Sequence, residues 1–160
     1  MNTDSYRQQL DDLLALEIDA AHRLNELLEA EYQAILNHDP ASLEQSTVEK
    51  QAGIEQLATL DRKRISLVES LGYGTGHADI ENCLRKLDRD GRLSDQWKQL
   101  LTTAGKCREN NLRNHHLVEI GSRHTRQLLC ILRGEDTDNR IYSAKGNTDE
   151  QHNSRTLGRV

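Results

Sequence analysis

The chain has 160 residues, 26 acidic against 21 basic, a net charge of −5, no Phe, one Trp (Trp97), one Pro (Pro40) and one Met (Met1). The acidic balance argues against nucleic acid as the ligand, because phosphate recognition needs a positive surface, and the one dense basic cluster, Arg62-Lys63-Arg64, reads as a solvated helix face. Leu, Ala, Gln, Glu, Asp and Arg dominate what is left; these residues lose little rotamer freedom on a helix, so the fold class expected is all-α.

The first helix is expected from about Asp4 to Asn37. Its apolar positions, Leu10, Leu13, Leu14, Ala20, Ala21, Leu24, Leu27 and Leu28 among them, recur at threes and fours, as on a coiled-coil-like face. His38-Asp39-Pro40 stops the chain and restarts it, since Asp39 is a good N-cap and Pro40 suits the first helical position. A second helix follows to about Leu71, striped by Leu43, Val48, Ile54, Leu57, Leu60, Leu67 and Val68. Asp61 and Arg64 interrupt that stripe, which predicts looser packing there. So short a turn between two long helices implies an antiparallel hairpin.

Gly72-Tyr73-Gly74-Thr75-Gly76 breaks the pattern. It resembles a phosphate-cradling glycine loop only superficially, because such a loop follows a strand and opens a helix. A short third helix is expected over Asp79–Asp88, lying along the bundle or capping one end of it. Beyond Asp90-Gly91, Ser94 is placed as the N-cap of a last, longest helix over Asp95–Arg133, ending at Gly134. Its seam reads Trp97, Leu101, Ala104, Arg108, Asn111, His115, Val118, Ser122, Thr125, Leu129 and Leu132, with Asn110 and Asn114 beside it.

Two features of the last helix go beyond a self-contained bundle. Its middle is polar: Asn110, Asn111, Asn114 and His115 form a polar seam that is either splayed and wet or open toward a partner helix. Its end is over-apolar: in the run Leu128-Leu129-Cys130-Ile131-Leu132, Leu129 and Leu132 belong to the seam while Leu117, Ile120, Leu128 and Ile131 make a second stripe, so this end is either wrapped by the bundle or exposed as a groove for an amphipathic helix, with Leu117, Ile120, Leu128, Ile131 and Leu132 as its anchors. From Gly134 the composition changes. Ile141, Tyr142, Ala144, Leu157 and Val160 are the apolar residues of the remainder, too few to offset ordering entropy by burial. The expected organisation is a helical bundle over 1–133 and a flexible tail over 134–160.

No catalytic constellation stands out. His115, His116, Glu119 and His124 do not converge as metal ligands would, so neither a metal, a cofactor nor an enzymatic activity is expected. The Met1 end carries Asp4, Arg7, Asp11 and Asp12 and no apolar h-region, and no run is long enough to span or insert into a bilayer. Three cysteines without CxxC spacing fit a reducing, cytoplasmic compartment.

Several segments in this order resemble the FlgN family, the cytoplasmic export chaperones of the bacterial flagellum. They are Glu109-Asn110-Asn111-Leu112-Arg113-Asn114, the helical run to Leu132-Arg133-Gly134, then Arg140-Ile141-Tyr142-Ser143-Ala144-Lys145-Gly146 and the ending Arg155-Thr156-Leu157-Gly158. The resemblance extends over about residues 8–160. Where members commonly show Asn-Gly in the last-helix motif, this chain has Asn114-His115. The resemblance implies a chaperone that binds the helical C-terminal ends of hook-associated proteins and delivers them to the type III export apparatus. It implies further that Tyr142, in the Tyr-x-x-x-Gly motif, contacts the export gate at the membrane. The free protein is expected to be monomeric. A scaffolding coiled-coil protein with no secretion role is the second reading.

Overall fold

A computed structural model describes residues 3–133. Its elements are α1 (Thr3–Leu36), α2 (Pro40–Ser70), α3 (His77–Leu87) and α4 (Arg92–Leu132). The described residues hold no strand, so the all-α expectation stands, with each helix boundary within three residues of its predicted place. The chain separates into two compact units, Met1–Glu119 and Ile120–Val160, and the division falls within α4.

The first unit is built on α1. Leu10, Leu14, Glu17, Ala21, Leu24, Leu28 and Glu31 are all buried, alternating four and three in spacing, which is the 3.5-residue rhythm of a coiled-coil seam. α2 returns antiparallel to α1, since Lys50 meets Glu31 and Arg64 meets Glu17. α4 runs parallel to α1: Arg92 pairs with Asp11, the Cys107 thiol donates to the Ala21 carbonyl and Asn110 donates to Asn25, in the same order along both helices. α3 supplies the crossover. Its buried face of Ile80, Cys83, Leu84 and Leu87 joins Leu10, Leu14, Val68, Leu93 and Trp97 in the main core. Fully buried side chains such as Leu10, Leu14, Leu84 and Leu93 each contribute about 1.5–3 kcal/mol by leaving water.

The turns follow local chemistry. α1 ends in a Schellman arrangement, with the N–H of Asp39 donating to the Ala34 carbonyl and that of His38 to Ile35. His38 takes the left-handed residue of that motif at φ 52°, where glycine is usual. Asp39 then caps α2 as predicted, accepting from the N–H groups of Ala41 and Ser42 at 3.1 Å each. α2 ends in the same motif: Gly72 at φ 83° donates to Glu69, Tyr73 donates to Val68, and the Tyr73 ring packs back on the core.

Three expectations are corrected. α4 begins at Arg92, and Ser94 is not its N-cap; instead the Asp88 carboxylate accepts from the Ser94 N–H at 3.0 Å and hydroxyl at 2.6 Å. Burial would raise the Asp88 pKa, but these bonds and those from the backbone of Leu93 and Gly91 outweigh it and hold the carboxyl low. Arg64 does not loosen the hairpin: it is buried and ion-paired. On α2, Val48 and Ile54 are exposed, and burial in its first half is confined to Ser46, where α2 packs on α1 through small and polar residues.

Candidate partner-binding site

Two polar networks close the first unit. In one, the Arg64 guanidinium of α2 donates through Nε to both carboxylate oxygens of Glu17 on α1, at 3.1 and 2.8 Å, and through Nη2 to Asp61. Its Cζ lies 4.8 Å from the centre of the Trp97 ring on α4, so one cation joins three helices. Burial pushes the Glu17 pKa up and exceeds the opposing pull of Arg64. In the other, Asn114 of α4 is 2% exposed. Its Nδ2 donates to the Leu28 carbonyl at 2.7 Å and to Glu31 at 2.9 Å, and its Oδ1 accepts from Arg113 Nε at 3.3 Å. The other Glu31 oxygen holds Lys50 of α2 at 2.6 Å. Arg113 also pairs with Glu29 and lies over the Tyr32 ring, 3.7 Å from its centre.

These contacts settle the polar seam differently from the sequence reading. Asn110 and Asn114 carry it, and both are spent on α1. Asn111 and His115 are exposed and belong to the outer face, where His115 and His116 approach only Glu119, at 3.9 and 4.0 Å. The middle of α4 is therefore closed against α1 through Asn110 and Asn114, while Asn111 and His115 stand exposed. The displaced register begins near the start of α4. Trp97, Leu100 and Thr103 are successive buried positions three apart, so the seam steps back by one residue from the regular alternation that led to Leu101 and Ala104. Thr103 fits the core because its hydroxyl donates to the Gln99 carbonyl.

The over-apolar end of α4 has a different fate. Leu117, in the first unit, is half-buried. Ile120, Leu128, Ile131 and Leu132 are exposed by 53%, 48%, 64% and 81%, and Leu129 is exposed beside them. From Ile120 to Arg133 every residue is exposed except the half-buried Cys130. At 3.6 residues per turn, Leu117, Ile120, Leu128, Ile131 and Leu132 fall within about 120° of the helix circumference. This is the amphipathic pattern of a buried helix on a stretch whose apolar side chains stand exposed. Tyr142, which the family resemblance implies as an export-apparatus contact, lies outside the described residues, as does the whole of 134–160.

A recess of about 540 Å³ is lined by residues of α1 and α2, Leu13 and Leu67 among them; Arg62 and Lys63 are its charged lining, with no carboxylate or histidine. Among the described residues no group of His, Cys, Asp and Glu is placed to hold a metal, and no helix is long and apolar enough to cross a membrane.

The family model described as FlgN protein matches residues 1–150. The chain belongs to the FlgN family. Membership carries the general role of a flagellar export chaperone, and the long-helix architecture with an exposed apolar helix end suits that role. No curated protein and no solved structure matches the chain.

Sequence reasoning missed Glu17, Glu31 and Arg64 as bundle ties. A strict alternation of four and three from Leu10 would have placed both glutamates in the seam, two heptads apart.

Proposed function

We propose that this FlgN-family chain is a cytoplasmic chaperone that binds the helical C-terminal regions of hook-associated proteins, blocks their premature self-association and delivers them to the type III export apparatus. The observation that supports the reading is the exposed apolar stripe on the last turns of α4. An export substrate must reach its channel without assembling, and its terminal amphipathic helices would otherwise associate through their own apolar stripes. A chaperone helix with a complementary stripe covers them, and no nucleotide is required because handover to the export machinery drives release.

Ile120, Leu128, Ile131 and Leu132 are the anchors, with Leu117 at the near end of the stripe. Asn110 and Asn114 act indirectly, by fixing α4 on α1 in one register; Asn111 and His115 face outward. Tyr142 addresses the export gate, a peripheral contact at the membrane without insertion. The free chaperone is monomeric.

The test is co-purification with each hook-associated protein, using the full chain and a truncation after Arg133. Both forms are expected to capture substrate, while Tyr142→Ala retains capture and lowers secretion of the hook-associated proteins. Absence of capture by the full chain contradicts the substrate assignment, and unchanged secretion with Tyr142→Ala contradicts the role of the tail.

A further inference from the structure

Within the first unit α4 carries two seams, one residue apart. Both start from Trp97. One runs Leu100, Thr103, Cys107, Asn110, Asn114 and Leu117, each of them buried or half-buried. The other runs Leu101, Ala104, Arg108, Asn111, His115 and Val118, each of them exposed. The spacings are the same threes and fours in the same order. At 3.6 residues per turn, a roll of α4 by about 100° exchanges the two. The step from Trp97, three residues to Leu100 or four to Leu101, decides which is used.

Apolar content does not choose between them. Leu100 is matched by Leu101, Asn110 by Asn111, Leu117 by Val118, and Thr103 by the smaller Ala104. Two pairs of positions differ in chemistry. At the first, the Cys107 thiol donates to the Ala21 carbonyl at 3.2 Å. Arg108 is bulkier and charged there, although its long stem can carry the charge out to water. At the second, the Asn114 amide nitrogen donates to the Leu28 carbonyl and to Glu31 at once, and its oxygen accepts from Arg113. Glu31 in turn holds Lys50 of α2. A neutral imidazole has a single N–H, so His115 in that place leaves the Leu28 carbonyl or Glu31 without its donor from α4. A hydrogen bond to a buried charged group is the stronger kind to lose. Polar side chains at seam positions fix one register of packed helices at some expense in stability.

We propose that the Asn114–Glu31–Lys50 clasp is the register lock of α4: it selects the Leu100 seam over the Leu101 seam, and without it α4 rolls onto the second. Asn110, matched by Asn111, holds α4 on α1 but does not choose. The clasp sets which face of α4 the first unit turns outward, whatever the chaperone binds.

The test reads the roll from two thiols. Arg108→Cys makes the first pair of positions alike, so that the clasp separates the two seams, and it places a reporter beside Cys107. The full chain with this change is labelled with iodoacetamide, and the rate at each position is read by peptide mass mapping. Position 107 is expected to react at least about tenfold more slowly than position 108. Comparable rates would assign the choice to Arg108 and overturn the proposal. Asn114→Asp removes the double donor and sets a carboxylate against Glu31. Added to Arg108→Cys, it is expected to reverse the order, with position 107 faster and position 108 slower. Adding Glu31→Gln, whose amide can donate to the new carboxylate, is expected to restore the first order. Faster labelling at both positions shows that α4 loosens rather than rolls, and an unchanged order shows that packing chooses the seam; either result overturns the proposal. A reversal that Glu31→Gln does not correct removes Glu31 from the lock and overturns it as well. If circular dichroism shows that Asn114→Asp has lost its helices, Asn114→His takes its place and makes the second pair identical. The two rates must then come within about threefold, and a difference still near tenfold contradicts the lock.

Discussion

Single residues decide where this bundle is tight. Asn114 shows how a polar side chain is accommodated at a core position: both amide hydrogens and the oxygen find partners, so no desolvation penalty is left standing. Its bond to Glu31, which also holds Lys50, makes one carboxylate the meeting point of α1, α2 and α4. His38 is the opposite case, a bulky residue in the left-handed conformation that closes α1. Replacing it by glycine removes a steric cost of about 1–2 kcal/mol and adds a smaller entropic one. His38→Gly is therefore expected to raise the unfolding free energy by about 0.5–1 kcal/mol in urea titration; a loss of stability would show that the imidazole makes a contact outweighing the strain.

Among the elements, the helical hairpin depends on an ion pair that the sequence presented as an interruption. Arg64 and Glu17 are both buried, and removing one partner strands the other charge in the core. Arg64→Ala is expected to cost about 3–5 kcal/mol, whereas Glu17→Leu with Arg64→Met recovers most of that loss because a well-packed apolar pair needs no compensation. Thermal melts of the single and double variants check this, and equal destabilisation of the two would contradict it. The example also shows what periodicity conveys. The helices, the Asp39-Pro40 restart and the Gly72 stop were legible because each rests on local backbone chemistry. The partners of Arg64, Asn110 and Asn114 were not, because they depend on which faces of three helices meet. The register of α4 slipped for the same reason: Leu100 and Leu101 are equally apolar, and only the contact with α1 distinguishes them. The exposed stripe near Leu128 was legible as excess, since five consecutive apolar residues cannot share one seam.

On the scale of the whole molecule, charge and apolar surface are unevenly placed. The chain carries a net charge of −5, yet the stretch from Ile120 to Arg133 has Arg123, Arg126 and Arg133 and no carboxylate. The first unit spends Asn110, Asn114 and the Glu17–Arg64 pair on its own helices, which suits a fixed platform. The stretch beyond Glu119 exposes a seam of the same rhythm with no partner, which suits the element that grips. The measurement bearing most directly on that division is amide hydrogen exchange of the full chain with and without a bound hook-associated protein. The account predicts slowed exchange across Ile120–Leu132 with the amides of α1 and α2 unchanged; protection confined to α1 and α2, with Ile120–Leu132 exchanging as in the free protein, would contradict it.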